Sequence, residues 1–341
     1  MRAALTTRAS VMEVVDRPEP ASPGPGEVVV RPQTVGICGS DVHIFLGELG
    51  PRYFPRVQGH ELCAVVDEVG PGCEGVEPGD RVAVWPIVPC GECYACSIGR
   101  EAVCAQIRIV GVHFDGGLQE RLVLPITQVV PVGDMEPAVA AMIEPVSIAV
   151  RTVARARIGS GEHVAVLGAG PIGQTVALVA RERGASVLLV DRIQSRLDRG
   201  AAIGADGVHS GEEADVAALA REWAGAEGLP VVIDATGDPG AIRSAVEMVA
   251  GAGRVVIAGI SHEEVSLPIG AFTAKELDVL GTSCCSADEF REAARIVAAR
   301  SADVQGLITH EFGLESAPEA IAFAIENPEQ VMKVVVRVEQ D

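Results

Sequence analysis

The sequence predicts an α/β protein of two domains, one β-rich and one a doubly wound parallel sheet, and three observations predict it. Residues 1–124 break into short apolar runs separated by Pro-Gly turns. From residue 161, runs of Val, Leu and Ile alternate with helical stretches, the pattern of βα units. Hydrophobic residues make up 48% of the chain and aromatics only 3%, so the cores must be built from Val, Ala, Ile and Leu, which suits layered sheets. At 341 residues the chain is longer than one core supports. The expected division is a β-rich domain of residues 1–148 completed by 282–341, and a second domain of residues 149–281.

Taken in order, Met1–Thr7 reads as a first strand, and Glu27–Arg31 follows the turn Pro23-Gly24-Pro25-Gly26. Residues 61–70 and 80–84 continue the pattern, punctuated by Pro71-Gly72 and Pro78-Gly79, as in a partly closed barrel or sandwich. Within this region stand Gly36-Ile-Cys38-Gly-Ser40-Asp-Val-His43 and Gly59-His60-Glu61. Cys38 offers a soft thiolate, His60 an imidazole and Glu61 a hard carboxylate, all suited to zinc. Ligands 22 residues apart do not make a compact knuckle; metals held this way usually keep a coordination position open for chemistry. Ser40 and His43 could pass a proton from that position to solvent.

Cys90, Cys93, Cys96 and Cys104 are spaced C-x2-C-x2-C-x7-C. Four thiolates within 15 residues can wrap one tetrahedral structural zinc; an iron–sulfur cluster also takes four Cys, but the x7 spacing and missing Cys-Pro ending disfavour it. The only basic residue close by is Arg100, which argues against a nucleic-acid zinc ribbon. Residues 137–157 read as one Ala-rich helical stretch, which Pro145 is expected to break or kink, aiming Glu144 out of the helical line. Glu144 is then either a solvated helix residue or a fourth metal ligand.

His163–Leu167 reads as a buried strand, followed by Gly168-Ala-Gly170-Pro171-Ile172-Gly173, a helix to Arg183, and a strand ending in Asp191. This is G-x-G-x-x-G in a strand–turn–helix setting, with an acidic residue about 20 positions on. The glycines admit a pyrophosphate to the backbone and the helix N-terminus. Asp191 would bind the adenosine ribose and repel a 2′-phosphate, favouring NAD, while Arg192 and Arg196 nearby leave NADP open. Two further strand ends carry Thr236 and Gly259, also candidates for cofactor contact, with a helix expected over 239–250 between them. A strand at 277–281, helices at 288–299 and 318–327, and a closing strand at 333–338 complete the chain.

The formal charge of −20 repels phosphate backbones and anionic membrane surfaces, which excludes nucleic acid as a partner together with the scarcity of aromatics for stacking. No run of 18 apolar residues is present, so no membrane span is expected. The N-terminus does not read as a signal peptide, and nine cysteines is an odd number, so reduced thiols and a cytoplasmic location are expected. Cys63, Cys73, Cys284 and Cys285 receive no role.

With these motifs in place the chain resembles, over essentially its whole length, the zinc-dependent medium-chain dehydrogenases. The resemblance implies a GroES-like catalytic domain made from both chain ends, a Rossmann domain between, and a homodimer or homotetramer. It implies that Cys38 and His60 bind a catalytic zinc, that Ser40 and His43 form a proton relay, and that Glu61 and Glu144 match the carboxylates of the sorbitol and threonine dehydrogenase branch. Liver-type alcohol dehydrogenases have a second Cys where Glu144 stands. Val110–Gly117 with Ile143-Glu144-Pro145 looks most like bacterial hexonate 5-dehydrogenases acting on L-idonate, L-gulonate or L-galactonate. The implied reaction is NAD-dependent oxidation of a secondary alcohol on a polyol or sugar acid; free sorbitol-like polyols and L-threonine are the alternatives, and a non-catalytic NAD- and zinc-binding protein the rival of another class. Arg56, Lys275 and Lys333 could each hold a substrate carboxylate, or equally be solvent-facing or ion-paired.

Overall fold

A computed structural model describes residues 1–210, 216–225 and 227–338. The chain divides into two compact units, Met1–Ser147 with Cys285–Asp341, and Ile148–Cys284.

The first unit is built on a seven-stranded sheet. Its strands run in the order Val129–Pro131, Arg81–Val84, Glu61–Val69, Glu27–Gly36, Lys333–Arg337 and Ile308–Gly313, with Leu122–Pro125 also paired to Glu27–Gly36. A second, three-stranded sheet holds Arg2–Arg8 between Val11–Asp16 and Arg56–Val57. Alternating aliphatic residues, among them Val28, Val30, Leu62, Ala64, Val334 and Val336, fill the core with no large aromatic at its centre. Strand register places the candidate ligands. Gly36 lies opposite Glu61 on one side and Val335 on the other, so the chain enters Cys38 from the sheet edge where Glu61 begins its own strand. Antiparallel pairing thus brings residues 22 positions apart in sequence side by side.

The second unit is a parallel sheet of six strands in the order Gly207–Ser210, Ser186–Asp191, His163–Leu167, Leu229–Asp234, Val249–Ile257 and Asp278–Gly281. The strand order reverses at His163–Leu167, which has Ser186–Asp191 on one side and Leu229–Asp234 on the other. Such a switch point opens a crevice at the carboxyl ends of the strands. Val, Leu and Ala residues of four of these strands make the core with the helix Pro239–Met248.

Two helical expectations are corrected. The stretch 137–157 is two helices, Pro137–Ala141 and Ile143–Arg155, and the break falls at Met142 rather than at Pro145. Pro145 lies in the first turn of the second helix, where its missing N–H leaves no intrahelical bond unmade. The helix expected over 239–250 ends at Met248, because Val249 already opens the next strand. The run Pro137–Arg155 is long and apolar enough to cross a membrane by length and composition, yet 78% of it is buried inside the protein as a core element.

Candidate active site

Cys38 is the N-cap of the helix Gly39–Leu46, and its backbone N–H donates to Asp41 Oδ2 at 2.9 Å in a capping box. Asp41 is fully buried and also accepts from the Gly59 N–H at 3.3 Å. The residue after Gly59 is His60. The helix cap and the second segment are therefore fastened to one carboxylate, and the Cys38 sulfur, a His60 ring nitrogen and a Glu61 oxygen lie within 4.8 Å of one another. The buried Nδ1 of His60 has no hydrogen-bond partner and lies 3.7 Å from Asp41 Oδ1. A metal on the other ring nitrogen would fix the Nδ1–H tautomer toward that carboxylate, so the donor set and its support fit zinc. Burial pushes His60 toward neutrality, but Asp41, Cys38 and Glu144 outweigh it and hold its pKa well above the usual value. Asp41 was not singled out in the sequence; its signal was the cap spacing, three residues after Cys38.

Glu61 is nearly inaccessible and forms a buried ion pair. Lys333 Nζ donates to both its carboxylate oxygens at 2.7 Å and to the Ile37 carbonyl at 3.2 Å. A Cβ at Gly36 would overlap this carboxylate, so glycine is required where the strand passes it. Lys333 therefore has no donor left for a substrate, and of the readings left open for it the structure shows the ion-paired one. Lys275 likewise has a structural role: its ammonium donates to the carbonyls of Val246, Glu247 and Val249, capping the helix Pro239–Met248.

Glu144 lies in the first turn of Ile143–Arg155 and is buried, not solvated. Its oxygens are not among the three clustered donor atoms, but the charges of His60, Glu61 and Lys333 all act on it. Burial pushes its pKa up to about 7, against the pull of His60; a nearby cation would restore the carboxylate. Ser40 Oγ lies 3.5 Å from His60 Nε2. His43, one turn on, is half exposed, and its Nδ1 pairs with Glu48. Among the described residues no hydrogen bond joins Ser40 to His43.

The four lobe cysteines also gather, their sulfurs within 4.8 Å of one another. Cys93 stands 3.5 Å from Cys96 and 3.9 Å from Cys104, close to the edge of about 3.8 Å of a tetrahedron with 2.3 Å Zn–S arms. A cluster would hold the thiolates further apart, with iron and sulfide between them. Backbone amides of Cys96 and Ala105 hold Cys93 down at about 6, while burial pushes Cys96 up to about 12. Cys63, in the core strand Glu61–Val69, is pushed up to about 12 by burial and is a packing thiol.

In the second unit a Cβ at Gly173 would overlap the Gly168 carbonyl oxygen, so the helix Pro171–Glu182 seats tightly on the strand before it. Asp191 ends its strand with one oxygen accepting from Ala169 N–H at 2.7 Å and the other from Ile193 N–H at 2.8 Å. Arg196 lies 3.7 Å from it, and Arg192 is exposed beside it. Thr236 packs against Gly168, and Gly259 against Gly237. Buried Asp234 organises both turns, accepting from Thr236 Oγ1 at 2.5 Å and Gly237 N–H at 3.0 Å, while its carbonyl accepts from Gly259 N–H. It too went unread in the sequence, although it is the only polar residue in Val231–Asp234. The glycine turn, Asp191, Thr236 and Gly259 thus share the carboxyl ends of adjacent strands, and their open backbone fits a dinucleotide.

Comparison with known proteins agrees with both halves. The alcohol dehydrogenase GroES-like domain matches residues 24–134 and the zinc-binding dehydrogenase domain residues 171–299. L-galactonate-5-dehydrogenase of Escherichia coli K12 is 32% identical over 314 residues, 92% of each chain. The crystal structure of the RspB alcohol dehydrogenase of E. coli CFT073, complexed with NADH, superposes with a TM-score of 0.93 at 32% identity over 99% of both chains. A zinc-binding dehydrogenase of Sinorhizobium meliloti 1021 bound to NADP gives 0.91 at 30% identity over 99% of both. Matches of this length on both units leave a single reading of ancestry: the chain belongs to the zinc-dependent medium-chain alcohol dehydrogenases.

Proposed function

We propose that this dehydrogenase oxidises a secondary hydroxyl of an open-chain hexonate to the ketone, with NAD as acceptor and two zinc ions per chain. Cys38 and His60, with Glu61 and Glu144, would hold the reactive zinc; Cys90, Cys93, Cys96 and Cys104 would hold the structural one. When bound, the zinc supplies the positive charge that lowers a substrate hydroxyl's pKa, and NAD takes the hydride.

The observation that carries the reading is the buried pairing of Lys333 with Glu61 beside the clustered Cys38, His60 and Glu61 donors. Lys333 therefore neutralises much of the Glu61 charge and leaves the Lewis acid less quenched than the ligand set alone implies. Asp41 orients His60, and Ser40 stands beside that ring to take the substrate proton. His43, one helical turn on, anchored by Glu48 and half exposed, is the outlet to solvent. Asp191 supports NAD over NADP by offering a carboxylate where a 2′-phosphate would sit. The hexonate assignment is supported by the L-galactonate-5-dehydrogenase likeness. Five of the nine cysteines fall in the two candidate metal clusters, as reduced thiols would, which supports the cytoplasm as the compartment.

Zinc-loaded enzyme with NAD, assayed against hexonates, free hexitols and L-threonine, tests the reading. It predicts the highest kcat/KM on a hexonate; activity confined to neutral polyols or threonine would discard the substrate class while leaving the metal chemistry standing.

A further inference from the structure

Lys275 and Lys333 are committed to protein acceptors, which leaves Arg56 of the three candidate cations for the carboxylate of a sugar acid, on a protein whose charge of −20 repels anions at long range. On the first unit Arg52, Arg56 and Arg108 gather around His113. Segment 51–56 and segment 108–115 lie together: the Tyr53 and His113 rings meet edge-on with centroids 5.9 Å apart. Arg52 lies 4.9 Å above the Tyr53 ring and donates to its hydroxyl at 3.0 Å. Arg108 lies 6.0 Å from the Phe114 ring. Arg56 is largely buried, its Nε has no hydrogen-bond partner, and its nearest carboxylate, Asp115 at 3.7 Å, is already hydrogen-bonded to Arg17 and the Val57 amide. Among the described residues neither Arg52 nor Arg108 has a carboxylate partner.

This cluster is tied to the reactive centre through its own chain. Arg56 precedes His60 by four residues, a span of at most about 14 Å. Tyr53 and Val112 pack with Ile44 on the helix that Cys38 caps. Gly117 N–H donates to the Gly59 carbonyl at 2.8 Å, locking the second segment against the residue before His60. His113 Nδ1 accepts from the Ile109 N–H at 3.1 Å, and burial together with the charges of Arg52, Arg56 and Arg108 holds its pKa below the usual value, so the ring is a neutral donor there.

We infer that Arg52, Arg56 and Arg108 form an anion-recognition site for the terminal carboxylate of an open-chain polyol acid whose secondary hydroxyl reacts at the Cys38–His60–Glu61 centre. Guanidinium forks match a carboxylate in planar, bidentate geometry, and stacking on Tyr53 and Phe114 holds two of them partly organised before substrate arrives. The site supplies a local attraction that overrides the repelling bulk charge, and it separates a hexonate from its neutral hexitol.

The inference rests on the hexonate reading, and one experiment distinguishes the two. The ratio of kcat/KM for the preferred hexonate to that for its matching hexitol is measured for the zinc-loaded wild type and for Arg52→Gln, Arg108→Gln and the double variant. Arg291→Gln, an exposed arginine paired with Asp288 on the helix Ala287–Ala299, is the charge control. A hexitol 1-phosphate is included as a second anion. The site predicts that each single variant lowers the ratio about tenfold or more through KM, that the double variant lowers it further, and that Arg108→Lys recovers part of the loss, while Arg291→Gln leaves it unchanged. A wild-type preference for the hexonate that survives in the double variant overturns the site and leaves the reading. A wild type without that preference overturns the reading and the site together, and a stronger preference for the phosphate overturns the carboxylate assignment.

Discussion

Lys333 shows how one side chain can set the character of a centre it does not belong to. Its ammonium is buried against Glu61, and although burial favours the neutral amine, the charges of Glu61 and Cys38 hold its pKa above the ordinary 10.5. A cation with a raised folded pKa stabilises the fold fully below 10.5, and that contribution is lost as pH climbs through the higher folded value. Lys333→Met leaves a buried carboxylate without its counter-charge. Denaturant unfolding should show a loss of about 3–5 kcal/mol at neutral pH; a variant as stable as the wild type would mean that Glu61 is neutralised some other way. From the sequence, Cys38, His60 and Glu61 were legible because their chemistry is specific. Lys333 was not, because no pattern distinguishes a lysine that pairs with a residue 272 positions away from one that faces water. Asp41 was hidden for the opposite reason: an Asp in the first turn of a helix looks like an ordinary cap, and only the structure shows it fully buried 3.7 Å from His60 Nδ1.

At the level of elements, the glycine turn was the most legible feature, since backbone closeness demands glycine and the strand–turn–helix order is local. Gly173 tests it. A methyl group there would overlap the Gly168 carbonyl and push the helix Pro171–Glu182 off its strand. Gly173→Ala should cost about 1–3 kcal/mol from overpacking and weaken NADH binding, read by cofactor fluorescence, while the zinc content stays at the wild-type value. Undiminished NADH affinity would contradict the placement of the cofactor at this turn. The helix around Glu144 was less legible. Pro145 looks like a breaker, yet a proline in the first turn costs a helix nothing, and the break is made instead at Met142. Glu144 is nonetheless brought into the field of His60 and Glu61 from the start of that helix.

On the scale of the whole molecule, the fold class was legible chiefly from the period of the apolar runs, with a composition of 3% aromatics that calls for aliphatic cores. What periodicity could not give is which distant strands pair; the meeting of Gly36 with both Glu61 and Val335 is a fact of register. The two units also differ in how they close. Ile148–Cys284 is continuous in sequence and carries its own core, whereas the other unit needs both chain ends. A fragment of residues 148–284 should therefore fold alone, with a cooperative thermal transition by circular dichroism; a fragment without such a transition would show that its sheet depends on the rest of the chain. The proposed activity depends on the chemistry of one centre, and Cys38→Ser tests it most directly, since serine keeps the helix cap and removes the soft ligand. Zinc content and hexonate-dependent NADH formation are measured on the same preparation. The prediction is a fall from two zinc ions to one per chain, with turnover lost and NADH binding retained; two zincs with undiminished turnover would contradict it.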